Sequence, residues 1–349
     1  MLIRTICVAL SSALLAQNYS PAHFGPAEGP SGNAFPFGFA LPCRYSQIHD
    51  DLPSMAISGM SFRHDWNATA FPGYSLSMDA WMSTAVTPSS GISATFDNNH
   101  GPDKTRVVFN RTYTQPPSDP ANLPGQFVLD YPFDVPSVFP GGGASLCWEV
   151  QITARTNAAY ILYDAVWGLF PSPASPHIAT GYFGSGCVAS GQVNPTFARA
   201  SEYTNWFTGT AGMFVSGANQ PPGGITLVCT GADKTSFLGI PLPATLPGTS
   251  CTVYSDIIVS SVVIATAVGS VSHGITFVPQ PAFHGITLYS QIWGLDPTAN
   301  PWGLTTSDAA IHHIVAPFAT PPVSRVYLPF SLGPIGTIEV NCGLVTRFY

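Results

Sequence analysis

Apolar and polar residues alternate along much of the chain with the two-residue period of a β-strand. The segment YSLSMDAWM, which begins at Tyr74, places its apolar residues on one side and its polar residues on the other. The segment LCWEVQITAR, which begins at Leu146, alternates in the same way. Its predicted core-facing residues are Leu146, Trp148, Val150, Ile152 and Ala154, and its predicted solvent-facing residues are Glu149, Gln151, Thr153 and Arg155. Such alternation is typical of antiparallel sheets with one buried and one wet face.

Turn residues separate these strands and leave little room for helices, since the chain contains 34 prolines and 33 glycines. The Pro- and Ser-rich stretch PSPASPHIATG, residues 171–181, divides the strands into two series and is predicted to be a linker. We therefore expect an all-β fold of two antiparallel, jelly-roll-like β-sandwiches in tandem, at residues 17–172 and 182–315. The closing segment, residues 316–349, contains a strand pair that should dock on a sheet, and the sequence does not say on which sandwich.

Composition excludes several classes of partner. Of the 349 residues, 45% are hydrophobic and only 8% are charged, so the chain is too apolar to be disordered. The net charge is −7 and the basic residues form no cluster, which argues against nucleic acid and against anionic lipid. The apolar segment at residues 257–271 is short and rich in β-branched residues, so we interpret it as a buried strand or hairpin.

The first 16 residues have the layout of a secretory signal peptide. Arg4 precedes an apolar run that ends in small residues, and the run is too short to remain as a membrane anchor. Cleavage after Ala16 would release a secreted or cell-surface protein that is not inserted in a membrane. The signal contains Cys7, which leaves an even set of six cysteines predicted to form structural disulfides in 15 possible pairings: Cys43, Cys147, Cys187, Cys229, Cys251 and Cys342.

Four landmarks in the second half occur in a recognisable order: FGSGCVASG, GADKTSFLGIPLP, GTSCTVYSD and ITLYSQIWGLDPTANPWGL. Together they resemble a β-sandwich domain found in secreted proteins of planctomycete bacteria, over roughly residues 182–314. The segments YSQIHDD, ISGMSFRHD and LCWEV resemble the amino-terminal sandwich of those proteins, and the SRVY to GLVTRF segment resembles their tail. Departures are LPGTSC in place of APGC, and TTSDAA in place of Ser-Asn-Gly. The resemblance implies export, two sandwiches and a Cys187–Cys251 bridge, and it implies no reaction.

The segment from Ile286 to Leu304 could hold a ligand or simply join two strands. On a strand, Tyr289, Gln291 and Trp293 share one side, and Trp302 follows in the turn, so these four could stack and hydrogen-bond a sugar. The structural alternative is an ordinary strand face followed by turns at Asp296-Pro297 and Asn300-Pro301. Two more aromatic residues, Trp66 and Trp206, are candidates for the same role, with core packing as their alternative.

Other polar motifs give weaker signals. FDNNHGPDK offers Asp97, Asn99 and Asp103 as oxygen ligands for calcium, but it lacks the bidentate glutamate of an EF-hand and also fits a hairpin turn. The adjacent His312 and His313 should point to opposite faces of a strand and therefore cannot share one metal. No GxSxG motif is present, so we predict no enzyme and no cofactor.

These observations leave three hypotheses for function. The first is a secreted or cell-surface structural or adhesive protein that assembles with itself in extracellular material. The second is a protein that binds extracellular polysaccharide through exposed aromatic residues. The third is a secreted hydrolase, which would require the polar clusters HDD and RHDW to converge in one cleft: His49, Asp50, Asp51, His64 and Asp65.

Overall fold

The computed structural model describes residues 18–39, 41–66, 70–118, 123–156, 159–167, 177–205, 210–278, 280–315 and 320–349. The predicted signal peptide and Trp206 lie outside these ranges. The described chain is all-β, and its helices are four short 3-10 turns, at Ala22–Phe24, Ser89–Gly91, Phe96–Asn99 and Pro281–Phe283. The predicted fold class is confirmed.

The strands run in three groups along the chain. The first group is β1 (Asn18–Ser20), β2 (Ser31–Asn33), β3 (Cys43–His49), β4 (Met55–Phe62), β5 (Tyr74–Thr84), β6 (Thr105–Gln115), β7 (Leu129–Phe139), β8 (Leu146–Arg155) and β9 (Tyr163–Trp167). The second group is β10 (His177–Phe183), β11 (Phe197–Asn205), β12 (Thr210–Ala218), β13 (Ile225–Gly231), β14 (Ser236–Phe237), β15 (Ile240–Pro241), β16 (Ala244–Thr245), β17 (Thr252–Val253), β18 (Val259–Ile264), β19 (Val271–Phe277), β20 (Thr287–Leu295) and β21 (Leu304–Val315). The third group is β22 (Val323–Pro329), β23 (Thr337–Glu339), β24 (Cys342–Leu344) and β25 (Thr346–Phe348).

The first sandwich combines three antiparallel sheets. Their strand orders are β23-β22-β3-β8-β5-β6, β1-β25-β4-β7 and β2-β9-β24. Tyr45 and Trp148 from the six-stranded sheet pack in one buried cluster with Phe62 and Tyr131 from the four-stranded sheet and Tyr163 from the three-stranded sheet. Burial of these large side chains supplies the main apolar stabilisation of this unit.

The second sandwich packs a five-stranded sheet, β10-β21-β20-β13-β18, against a three-stranded sheet, β11-β12-β19. Val228 and Ile292 of the larger sheet meet Ala198, Val215 and Val271 of the smaller one in a buried cluster. The side chains that alternate with Val228 and Ile292 therefore point to the outer face of the larger sheet.

The C-terminal strands all join the first sandwich, a point that the sequence left open. Strand β22 pairs with β3, β24 pairs with β9, and β25 lies between β1 and β4. At the predicted linker, residues 177–181 already belong to β10, where Ile178 and Ala179 are buried and pair with β21. The second unit therefore begins before residue 182, and residues 171–176 lie outside the described ranges.

The predicted faces of the strands are correct for β5 and need correction for β8. Strand β5 alternates buried and half-buried residues along nearly its whole length. In β8, however, Glu149 is fully buried, because Arg44 Nε lies 2.8 Å from its Oε1 and His100 Nε2 lies 3.1 Å from its Oε2. Ala154, expected to face the core, is exposed near the end of the strand.

The apolar segment 257–271 forms β18 and the turn that leads into β19, and its strand is less buried than expected. Strand β18 lies at the edge of its sheet, and Val262 and Ile264 are 68% and 61% exposed. Among the described residues, no helix is long and apolar enough to cross a membrane.

Among the six cysteines that the structure describes, Cys187 and Cys251 form a disulfide. The expectation that all six cysteines are oxidised is wrong for Cys43, Cys147, Cys229 and Cys342, which are buried free thiols. Cys43 pairs across the sheet with Ile152, and Cys147 with Ile48, so these two cysteines are five strand positions apart, or about 17 Å. A disulfide requires Cα atoms within about 7 Å.

Reduction of the disulfide should destabilise the second sandwich. The bond spans 64 residues, and the loop-entropy model assigns about 4 kcal/mol to a loop of that size. We expect a reductant to lower the guanidinium midpoint of the wild-type protein but not that of the Cys187→Ser/Cys251→Ser double variant. A midpoint that is insensitive to reductant, or that falls equally in both proteins, would contradict this prediction.

Candidate functional site

The predicted sugar-binding side of β20 is largely covered. Gln291 is buried, and its Nε2 donates hydrogen bonds to the carbonyl oxygens of Thr252 and Ser307, each at 2.6 Å. Its Oε1 accepts a hydrogen bond from the backbone N–H of Tyr254 at 3.2 Å. Tyr289 is also buried and packs edge-on against Phe183. Gln291 and Tyr289 are therefore structural residues, which corrects their assignment as ligand contacts.

The turn after β20 is built as the structural alternative predicts. Asp296 Oδ2 accepts a hydrogen bond from Ser190 N at 2.7 Å, and Asn300 Oδ1 accepts one from Trp302 N at 3.0 Å. Burial alone would raise the pKa of Asp296, but the hydrogen bonds from Ser190 and Thr298 bring it below its ordinary value. Trp302 remains 51% exposed, and its Nε1 donates a hydrogen bond to Pro247 O at 2.9 Å.

The outer side of the five-stranded sheet carries an apolar surface that the sequence analysis did not assemble. Cross-strand partners share a face, and Leu227 pairs with both Val262 and Trp293. Two residues along β13 from Leu227, and so on the same face, Ile225 pairs with Ile264. Leu295 lies two residues from Trp293 on the same side. We call this surface the apolar face, and its residues are Ile225, Leu227, Val262, Ile264, Trp293 and Leu295.

The apolar face ends at an unprotected edge. Strand β18 pairs with β13 on one side and has no strand on its other side among the described residues. None of the three strands that carry the face contains a charged residue or a proline, although charged residues and prolines are the usual means of blocking an edge. Ile225, Val262, Ile264 and Leu295 are all exposed, while Leu227 and Trp293 are half-buried. Such a surface is typical of an interaction site.

The five polar residues proposed for a hydrolase do not meet in one cleft. His49 is fully buried, with its Nδ1 2.6 Å from Ser20 Oγ and its Nε2 accepting a hydrogen bond from Trp148 Nε1 at 2.8 Å. Asp51 accepts hydrogen bonds from Ala22 N and from Ser20 Oγ, so the Ser20 hydroxyl connects it to His49. Asp50 instead accepts hydrogen bonds from Ser89.

The second cluster, RHDW, is separate from the first. The His64 ring packs against Phe71 and Tyr163. Of the five proposed residues, Asp65 lines one cleft together with Trp66, and Asp51 lines a different one beside Ala22 and Pro322.

The three residues of the weak calcium candidate, Asp97, Asn99 and Asp103, each contact other protein groups. Asp97 Oδ1 lies 2.9 Å from Lys104 Nζ and 3.1 Å from Arg44 Nη2. Asn99 is buried and hydrogen-bonds the backbone of Ser93. Asp103 Oδ2 accepts a hydrogen bond from Thr84 N. These contacts fit the alternative interpretation, a turn held by its own side chains.

A buried acidic cluster, which the sequence analysis missed, surrounds Arg63. Asp164 Oδ2 accepts a hydrogen bond from Arg63 Nε at 2.7 Å, and Glu28 Oε2 lies 3.6 Å from the same nitrogen. Carboxylate oxygens of Glu28, Asp65 and Asp164 all lie within 4.8 Å of one another. Burial is the main cause that raises the pKa of Asp65 well above its ordinary value, and the neighbouring carboxylates raise it further. Asp65 and Trp66 of the RHDW motif thus meet two acids from distant segments.

No protein-family model and no curated protein matches this chain. The resemblance to planctomycete β-sandwich proteins therefore stays a prediction.

Burial of His49 should make stability depend on pH. Burial lowers the pKa of His49 from 6.5 to about 3. Between these values the unfolded chain binds a proton that the folded protein does not, so the unfolding free energy should fall as the pH falls, by about 1.4 kcal/mol per pH unit from this residue. In urea titrations across this range, His49→Gln should show a shallower dependence than the wild type. Equal slopes would show that His49 does not carry the effect.

Proposed function

We propose that this chain is a secreted structural or adhesive protein that associates with other copies of itself through the apolar face. The observation that carries the proposal is the exposed edge strand β18, where uncharged, β-branched residues lie beside backbone groups that pair with no other described strand. A second strand can add to such an edge by backbone hydrogen bonds, while the apolar side chains bury one another.

A second copy is the partner that fits this surface best. The five-stranded sheet is antiparallel throughout, so β18 of one molecule placed antiparallel to β18 of another would extend the same pattern about a two-fold axis. Because none of the strands that carry the face contains a charged residue, two copies can bring these strands together without placing like charges opposite each other.

Export is the second part of the proposal. The Cys187–Cys251 disulfide is compatible with an oxidising, extracellular compartment. Only 8% of the residues are charged. This small fraction also favours contacts between copies, since charged surfaces keep proteins apart. Assembly of an exported protein through its sheets would give it a role in extracellular material.

The apolar face predicts association that a single charge should disrupt. Val262 is 68% exposed, so Val262→Lys should leave the fold intact. Burial of a valine contributes about 1.5 kcal/mol, and a buried unpaired ammonium costs more. We therefore expect the dissociation constant measured by sedimentation equilibrium to rise at least ~10-fold.

The matched control is Val138→Lys, which adds the same charge at a site 76% exposed on β7 of the first sandwich. This variant should associate as the wild type does. A wild-type protein that stays monomeric at high concentration, or equal weakening in both variants, would refute the proposed assembly.

Carbohydrate binding is the second candidate function, favoured by the 51% exposure of Trp302. An exposed indole can stack on a sugar ring, and its Nε1 contact with Pro247 would hold the ring in place. If this candidate is correct, a glycan array should give binding that is lost in Trp302→Ala and kept in Val262→Lys. Absence of binding across a broad array would remove it.

A further inference from the structure

The acidic cluster opens into a small cleft between the two sandwiches. The cleft has a volume of about 210 Å³ and is lined by Glu28 to Gly32, Asp65 and Trp66 on one side, and by Ile178 to Thr180 and Glu202 on the other. Of the three acids, Glu28 and Asp65 line the cleft, and Asp164 lies behind them with a carboxylate oxygen within 4.8 Å of theirs. Glu28 and Asp164 are each 1% exposed, whereas Asp65 is half-buried. A small ligand could therefore reach the carboxylates from solvent past Asp65.

The charges of the cluster are unbalanced. Arg63 is the one cation that contacts it among the described residues, against three carboxyl groups. The Arg63 guanidinium also has other acceptors, since its Nη2 donates hydrogen bonds to Phe24 O at 2.8 Å and to Ala27 O. Full ionisation would leave two negative charges without partners in a buried place, which is strongly unfavourable.

One oxygen of the cluster is buried without a hydrogen-bond donor. Glu28 Oε1 accepts a hydrogen bond from Gly125 N, but Oε2 has no such partner among the described residues, and its distance of 3.6 Å from Arg63 Nε is too long for one. Buried polar atoms rarely lack a hydrogen-bond partner in the protein unless a ligand, an ion or water contacts them.

The Asp65 carboxyl group also lacks a hydrogen-bond partner among the described residues. It packs so closely on Gly32 that any side chain at position 32 would collide with it. The protein therefore holds this carboxylate in the cleft without assigning it a protein partner.

We propose that Glu28, Asp65 and Asp164 bind a divalent cation of the calcium type, which enters through this cleft. All three candidate ligands are carboxylates, and hard oxygen ligands select calcium or magnesium over transition metals. Calcium lies 2.3–2.6 Å from its ligand oxygens, so two oxygens on one ion are at most about 5 Å apart, and the observed limit of 4.8 Å satisfies this. Water in the cleft would complete the coordination shell. The ion would supply the two missing positive charges.

The first experiment measures binding to the full chain after removal of metals with a chelator. Calcium added to the wild-type protein should raise the melting temperature progressively, because a ligand that binds only the folded state stabilises it. Terbium, a luminescent substitute for calcium, should emit when tryptophan is excited, since Trp66 lines the cleft. Trp66→Phe should lose most of that emission and keep the calcium-dependent rise in melting temperature.

Asp65→Asn is the decisive variant. Because it removes one unpaired negative charge and no described hydrogen bond, it should raise the melting temperature of the metal-free protein and weaken calcium binding at least ~10-fold. The matched control is Asp97→Asn, at the weak calcium candidate in the first sandwich, which should bind calcium as tightly as the wild type.

Three results would overturn the proposal. A melting temperature of the wild type that does not change with calcium would mean that protons neutralise the cluster. Unchanged calcium affinity of Asp65→Asn would place the ion elsewhere. Stabilisation of the wild type by methylammonium but not by calcium would make the cleft a site for amines. None of these results bears on association through the apolar face.

Discussion

The first sandwich depends on hydrogen bonds between the two ends of the described chain. Strand β25 lies between β1 and β4, β22 lies between β23 and β3, and β24 forms the edge beside β9. The second sandwich is therefore inserted between β9 and β22 of the first, and both of its ends return to the same unit. Contacts so distant in sequence carry a large loop-closure cost, which the buried aromatic cluster around Trp148 and Tyr131 must outweigh.

Features set by local periodicity could be predicted from the sequence. The two-residue alternation identified β5 and β8 and the all-β class, because a strand with one buried face must alternate. Glu149 was misplaced since its partners, Arg44 and His100, are 105 and 49 residues away along the chain. A charged side chain can be buried when residues distant in sequence neutralise it, and the local alternation of apolar and polar residues does not indicate such partners.

The candidate sites were hidden from the sequence for the same reason. From the alternation of its strand, Gln291 is expected to face solvent. In the folded chain the segment around Thr252 packs over Gln291 and hydrogen-bonds its side chain. Glu28 and Asp164 are 136 positions apart in numbering, and both reach Arg63 only in the folded chain. The apolar face could be predicted in part, because residues 257–271 have the composition of an apolar strand or hairpin. Their exposure could not be predicted, because it depends on the position of β18 at the edge of its sheet.

The four free cysteines place a condition on how this protein would survive in the oxidising compartment that its proposed export implies. Burial raises the pKa of Cys43, Cys147 and Cys342 to about 12 and that of Cys229 to about 11, so hardly any of these sulfurs is a thiolate at neutral pH. Since the thiolate is the reactive form, the folded chain is protected from oxidants and from disulfide exchange. Unfolding removes that protection from all four sulfurs together, and the exposed thiols can then attack the Cys187–Cys251 bond. The lifetime of the correctly bonded protein is therefore governed by its rate of unfolding.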